Sequence, residues 1–327
     1  MDSSKARATL FSTMRSETPA RVAALLAALA QQDYEGDLEL VVAVPPDEVD
    51  AMRRLAAGWS RGPITVVENP TGERSAGLNR AVACATGTYA IRLDARSRPA
   101  ADYVRRCVER LESDPSIGVV GGVQTVRVGS DAPALARGIG RALTNRWLLG
   151  NAQYRNPAAH GPVDTVYLGA FRRRELTAFR YDEHLTANED FDLCERYRAD
   201  GRVVWLEPGL SVPYEPRSDL DALFTQYQEF GRSKVRYWKL SGHRPARRQR
   251  LALAAGIAAA GVGAIGARKP AVLAASTAAL VATYLATDAA TNPVPTPLTT
   301  RLAAVPAHVA IEAGWLSGIA IGLLEAA

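Results

Sequence analysis

Thr88-Tyr89-Ala90-Ile91-Arg92-Leu93-Asp94-Ala95-Arg96-Ser97-Arg98-Pro99-Ala100-Ala101-Asp102 is the stretch that decides the fold. Tyr89 to Leu93 reads as a strand that runs into a core, reaches an acid at Asp94 and is closed off by Pro99. In an α/β domain an aspartate at the C-terminal edge of a strand stands where ligands bind.

The residues before it supply the sheet. Ala8–Thr13, Leu40–Val44 and Ile64–Val67 are short apolar strands, and the second is the continuous kind that parallel sheets bury on both faces. Helices are expected between them. Thr18 suits an N-cap and Pro19 a first helical position, and Val22, Leu25, Leu26 and Leu29 recur at helical spacing. Pro45-Pro46-Asp47 precedes a helix over Glu48–Trp59, and Thr71-Gly72 turns into one over Ser75–Cys84. Four strands alternate with three helices, which argues a doubly wound, mostly parallel sheet.

Beyond Pro99 the pattern predicts a helix over Ala100–Leu111, a long strand or strand pair over Ile117–Val128, and a helix over Pro133–Leu149. Gln153–Asp164 reads as a polar loop. Strands at Val166–Phe171 and Val203–Leu206 flank a helix over Glu189–Ala199, and Leu220–Leu240 is a long aromatic-rich helix.

The composition changes near Arg250. Of 327 residues 47% are apolar, and the net charge is +5. From Leu251 onward the only charges are Arg268, Lys269, Asp288, Arg301, Glu312 and Glu325, which cancel. The whole net charge therefore belongs to the first 250 residues. The expected organisation is a catalytic domain over 1–240, a basic juxtamembrane linker over 241–250 and an apolar helical membrane region over 251–327. That region has two to three helices, in the segments Leu251–Ala267, Ala271–Thr287 and Leu302–Leu324. A span needs about 20 apolar residues. Arg244, Arg247, Arg248 and Arg250 fit the cytoplasmic face and anionic lipid. A nucleic-acid surface is the rival reading, but no nucleic-acid motif accompanies the run. Three spans would put Arg268-Lys269 outside, so a re-entrant or interfacial hairpin is the alternative topology. No signal peptide precedes the first strand, so the charged part is expected in the cytosol. Cys84, Cys107 and Cys194 have no metal or redox spacing and read as buried apolar side chains in a reducing compartment.

Three groups can carry chemistry. Asp94 can hold a divalent cation, which in turn holds a diphosphate, and Arg96 can meet phosphate directly. As bland alternatives, Asp94 suits a helix N-cap or loop and Arg96 a solvated loop. Glu189-Asp190 can supply a general base for a hydroxyl, or can simply stabilise a helix start. Gln226, Arg232 and Lys234 can hold a diphosphate or only meet lipid headgroups. No glycine-rich phosphate loop of either standard type is present, which argues against an ordinary dehydrogenase or P-loop enzyme.

In order along the chain these pieces resemble glycosyltransferase family 2, of GT-A fold, and within it the membrane-associated ExoA-like branch. The likeness covers residues 8–240. It rests on Thr13-Met14-Arg15-Ser16-Glu17, on Glu68-Asn69-Pro70 with Gly77-Leu78-Asn79-Arg80-Ala81, and on Asp94-Ala95-Arg96-Ser97. It continues through Val163–Arg173, Tyr181-Asp182-Glu183, Asn188-Glu189-Asp190-Phe191-Asp192-Leu193, and Gln226 to Lys234, where Phe230 replaces a tyrosine.

The resemblance implies inverting transfer of a sugar from a nucleotide sugar to a hydroxyl of a polyprenyl-linked saccharide at the cytoplasmic membrane face. Asp190 would be the base, with Glu189 and Gly169 on the acceptor side together with Gln226, Arg232 and Lys234. Glu17, Asp47, Asn79, Asp94 and Arg96 would line the donor pocket, and Asp94 would carry Mg or Mn. Arg96 stands where ExoA-like proteins have histidine, and a cation there weakens metal binding while neutralising phosphate charge. The alternative is a non-catalytic relative that binds a sugar nucleotide or scaffolds a membrane complex. A nucleotidyltransferase is a third reading, without the glycine- and lysine-rich start such enzymes need.

Overall fold

The structure, a computed structural model, describes residues 5–145, 152–292 and 294–325. The chain divides into two compact units. The first runs up to Thr125 and includes Gln153–Tyr214; the second takes the segment from Val126 and everything from Glu215 onward.

The first unit is built on one sheet. Its strands are β1 (Ala8–Thr13), β2 (Leu38–Val44), β3 (Ile64–Glu68), β4 (Tyr89–Arg92), β5 (Ile117–Val126), β6 (Gly161–Pro162), β7 (Tyr167–Arg172) and β8 (Val203–Tyr214). They lie in the order β3-β2-β1-β4-β7-β5-β8-β6. β3, β2, β1 and β4 pair in parallel, and β7 joins β4 antiparallel. All residues of β2 and β4 are buried, as expected for strands covered on both faces. Helices α1 (Pro19–Ala30), α2 (Val49–Ala56), α3 (Arg74–Cys84) and α4 (Tyr103–Ser113) follow the parallel strands in turn. Thr18 caps α1 through Arg21 N, as its sequence position predicts. α6 (Arg173–Phe179) and α7 (Glu189–Ala199) complete this unit. The parallel order puts the C-terminal ends of β1, β2, β3 and β4 on one edge, where the loops that carry Glu17, Asp47 and Asp94 emerge.

Three expectations change. Gly161–Pro162, read as loop, pairs with Trp205–Leu206 of β8. β8 continues to Tyr214, well past Leu206, through Pro208 and a left-handed Gly209 (φ 65°). Cys107 and Cys194 are buried, but Cys84 is exposed at the end of α3.

The second unit holds α5 (Ala134–Ala142), α8 (Leu220–Ser241), α9 (Arg247–Gly266), α10 (Pro270–Thr291) and α11 (Leu298–Leu324). The expected helix over Pro133–Leu149 is seen to Ala142, and residues 146–149 lie outside the described ones. α9, α10 and α11 are long and apolar enough to cross a membrane. Only 6% of the apolar window of α9 or α10 is buried, against 39% for α11. The glycines of α11 that face α8 show how α11 packs. A Cβ at Gly314 would lie 2.5 Å from Phe224 O, and one at Gly318 would lie 2.0 Å from Gln228 O. α11 and α8 thus approach backbone to backbone, as small residues allow. Gly138 of α5 meets Ala303 of α11 in the same way. α5 and α8, expected in the catalytic domain, therefore pack with the apolar helices.

Candidate active site

Asp94 leaves β4 two residues after Arg92. The turn that follows is fixed: Ser97 donates to Asp94 O from its N (2.9 Å) and its Oγ (2.6 Å). Arg98, 9% exposed, donates to Ala95 O and Ser97 O. Asp94 is thus held at the edge with its side chain one-third exposed.

The second carboxylate group sits at the start of α7. Asn188 precedes it in the left-handed conformation (φ 65°), which asparagine tolerates better than most residues. Glu189 turns inward and is 2% exposed. Asp190 is half-buried and accepts from Phe191 N at 2.7 Å.

Arg92 joins the two groups. Its Nη2 donates to Glu189 Oε1 at 2.9 Å, and its Nε lies 3.6 Å from Asp94 Oδ1. The guanidinium is 5.8 Å from the Tyr181 ring centroid, within cation–π range. Arg74 Nη1 comes within 3.8 Å of Glu189. Residues about a hundred positions apart thus meet around one buried cation. Burial pushes the Asp190 carboxyl above the ordinary aspartate range; the neighbouring Glu189 adds to this, while Arg92 and Arg74 oppose it. A raised carboxylate is a stronger proton acceptor once ionised, as a general base requires.

α3 braces this pair. Asn79 Nδ2 donates to Tyr181 O (2.9 Å) and Glu183 Oε1 (2.8 Å), and its Oδ1 accepts from Tyr181 N (2.9 Å). Ser75 Oγ donates to Leu185 O at 2.7 Å. Gly77 lets the helix close in, since a Cβ there would lie 2.2 Å from Thr13 Oγ1.

Of the residues singled out from the sequence, Glu17, Asp47, Asn79, Asp94, Arg96, Gly169, Glu189 and Asp190 belong to the first unit. Glu17 pairs with Arg21 at 2.6 Å, and Asp47 is exposed in the turn after β2. Asn79 is buried, its amide committed to the Tyr181–Glu183 loop. Gly169 lies inside β7, where a Cβ would stand 2.6 Å from the Phe171 ring. Gln226, Arg232 and Lys234 belong to the second unit, on α8. Arg232 there forms a two-point pair with Glu325 (2.7 and 2.6 Å), and Lys234 Nζ sits 4.4 Å from the Tyr237 ring centroid. Arg92 escaped the sequence reading, although a charge between Ile91 and Leu93 in an apolar strand needs a buried partner.

Among the described residues no group of three or more His, Cys, Asp or Glu could hold a metal ion. Asp94, the carboxylate assigned to the metal from the sequence, already faces Arg92 at 3.6 Å. Such a site fits a cation only when substrate phosphates complete the shell, which is how Mg²⁺ is commonly held.

A mixed sheet, parallel over β3-β2-β1-β4, with carboxylates gathered at the C-terminal edge of those strands defines an α/β enzyme domain of the GT-A type. The chain belongs to Glycosyl transferase family 2, whose sequence profile matches residues 13–177. Succinoglycan biosynthesis protein ExoA of Rhizobium meliloti (strain 1021) is 32% identical over 209 residues, which make up 62% of this chain and 60% of ExoA. The chain thus spans about three-fifths of the length of that relative. The fold is similar to that of the mannosyltransferase PcManGT from Pyrobaculum calidifontis, solved with GDP-Man and Mn²⁺. The TM-score is 0.61 at 20% identity, covering 94% of this chain and 88% of that one.

Proposed function

We propose that this protein transfers a sugar, with inversion, from a nucleotide-sugar donor to a hydroxyl of a lipid-linked saccharide. The work would serve polysaccharide synthesis at the cytoplasmic face of the cell membrane. The observation that carries this reading is the Asp94–Arg92–Glu189 cluster beside Asp190. Relatedness to ExoA supports the polysaccharide setting, and the three apolar helices support the membrane.

In this reading Asp190 takes the proton of the acceptor hydroxyl as its oxygen attacks the anomeric carbon. The bond from that carbon to the diphosphate oxygen breaks on the opposite face, and the diphosphate leaves with the electron pair. Arg92 and Glu189 set the basicity of Asp190, and the Phe191 N–H holds its carboxylate. Asp94 and Arg96 face the donor phosphates, with Glu17 and Asp47 on the same edge. A divalent cation, held by Asp94 and phosphate oxygens, would supply charge neutralisation of the leaving group. Asn79 shapes the donor side by bracing the loop before α7, and Gly169 keeps β7 flush with its neighbours. Gln226, Arg232 and Lys234 would meet the lipid-borne acceptor.

Membranes carrying the protein, incubated with labelled nucleotide sugars and lipid acceptor, test the reading. Wild type transfers label and Asp190→Asn does not; equal transfer by both sinks the assignment of the base. The guanidinium at Asp94, with Arg96 two residues on, favours a second reading in which the chain binds the sugar nucleotide without turnover. Donor binding without transfer over a broad donor panel would select it.

A further inference from the structure

The second unit contains a cavity of about 450 Å³ beside α5 and the α10–α11 connection. Its polar lining includes Ser130, Arg137, Arg141, Thr144, Thr296 and Thr300, and no acidic side chain lines it among the described residues. Behind the wall sits Asp288, fully buried. It accepts from Arg141 Nε at 2.6 Å and from Arg301 Nε at 2.8 Å. One carboxylate between two guanidiniums leaves one positive charge over, and Arg137 adds a second.

Two groups in the wall have unmet hydrogen bonds. Arg137 donates to Ser130 O through Nη1 (2.9 Å), but its Nε is buried without a partner. Thr300 is 4% exposed, and its hydroxyl has no partner either. Buried polar groups are nearly always satisfied, so orphans sharing one cavity need an explanation. Thr300 also lies in the first turn of α11, a 27-residue helix whose N-cap, Pro297, makes no side-chain capping bond. The Thr300 and Arg301 N–H groups donate to Pro297 O (3.0 and 3.1 Å), so what this end offers an anion is the helix dipole.

We propose that this cavity binds a phosphate monoester group. Arg137 and Thr300 are its ligands, the dipole at the start of α11 favours its charge, and the Arg141–Asp288–Arg301 cluster supplies fixed positive charge. A phosphate dianion is acceptor-rich, and the wall offers it arginines and hydroxyls. The phosphate could come free from solution or at the head of a lipid, since α10 and α11 are themselves apolar enough to lie in a membrane. The site uses no residue of the proposed transfer chemistry and stands whether or not that reading holds.

The test uses the full chain in an uncharged detergent, titrated with inorganic phosphate and, separately, with decyl phosphate. Binding is read by calorimetry and by rise in Tm, which follows mass action. Binding is expected to weaken about tenfold or more in Arg137→Gln, the scale of a charge-assisted hydrogen bond. Thr300→Val weakens it about threefold to tenfold. Thr296→Ala, at a less buried part of the wall, gives a second variant should either of these fail to fold. Binding of both probes marks free phosphate as sufficient; binding of decyl phosphate alone marks a lipid headgroup. The proposal is overturned if neither probe binds, or if folded Arg137→Gln and Thr296→Ala both bind as wild type does.

Discussion

Arg92→Met is the sharpest perturbation the site allows. It keeps an unbranched stem of similar bulk and removes the charge between Asp94 and Glu189. Glu189, 2% exposed, is left with Arg74 alone, at 3.8 Å and half-exposed. Removing one partner of a buried ion pair costs about 3–5 kcal/mol, because the other charge is stranded. For a unit of this size each 1 kcal/mol moves Tm by about 2–4 °C, so Tm should fall by roughly 6–20 °C. Arg92→Met with Glu189→Gln removes both charges and should recover much of that loss, with a coupling energy of about 2–3 kcal/mol. Thermal unfolding of the full chain in detergent measures all four corners of the cycle. The pH profile of transfer gives an independent readout. Glu189 pushes the Asp190 carboxyl up and Arg92 pulls it down. Glu189→Gln should therefore move the acid limb to lower pH and Arg92→Met to higher pH. A fall below about 2–4 °C in Arg92→Met, or a double variant no more stable than it, would refute the role given to this cation.

Asp190→Asn should be more stable than wild type at pH 8 while transfer falls by about 10²–10⁴. The folded-state pKa of Asp190 lies above its unfolded value, so the associated stability belongs to the protonated form and is lost as pH rises through the folded pKa. Thermal melts should accordingly converge below about pH 4, where the unfolded aspartate also protonates. Gly318→Val drives a side chain toward Gln228 O, only 2.0 Å from an ideal Cβ. Overpacking of this kind costs about 1–3 kcal/mol, and calorimetry should show it as a lower Tm for the helical unit. The Arg232–Glu325 pair is exposed, worth about 0–1 kcal/mol at most. Arg232→Gln should therefore barely move Tm but raise the acceptor KM, and an unchanged KM removes Arg232 from the acceptor site.

The parallel half of the sheet could be read closely because its signals are local. Apolar runs, Pro45-Pro46 and the Thr18-Pro19 cap each mark a boundary within a few residues. β8 exceeds its expected end at Leu206 because Pro208 and Gly209, which look like a strand end, lie inside it. The carboxylates at 94, 189 and 190 were visible as motif positions. Arg92 was not, because its meaning is non-local: its partners are two residues and 97 residues away. Asn79 shows the same limit. The sequence offered it for the nucleotide, and the structure commits its amide to the loop that carries the acidic pair.

The three apolar helices show what hydropathy leaves out. Their mean hydropathies are 1.3, 1.5 and 1.5, so composition treats them alike. The structure separates them by what they touch. α9 and α10 expose Leu251, Ile257, Ile265 and Leu273, a pattern that suits contact with lipid tails. α11 carries Gly314, Gly318 and Gly322 four residues apart, and that stripe lies on Phe224, Gln228, Arg232 and Val235 of α8. α8 is strongly charged, so the helix sealed against it need not meet lipid on that face. The spacing of the three glycines was present in the sequence and is the feature that distinguishes α11 from its neighbours. A segment of equal hydropathy with glycines at every fourth position is better read as a packing face, and its partner here is the charged helix that precedes the apolar run.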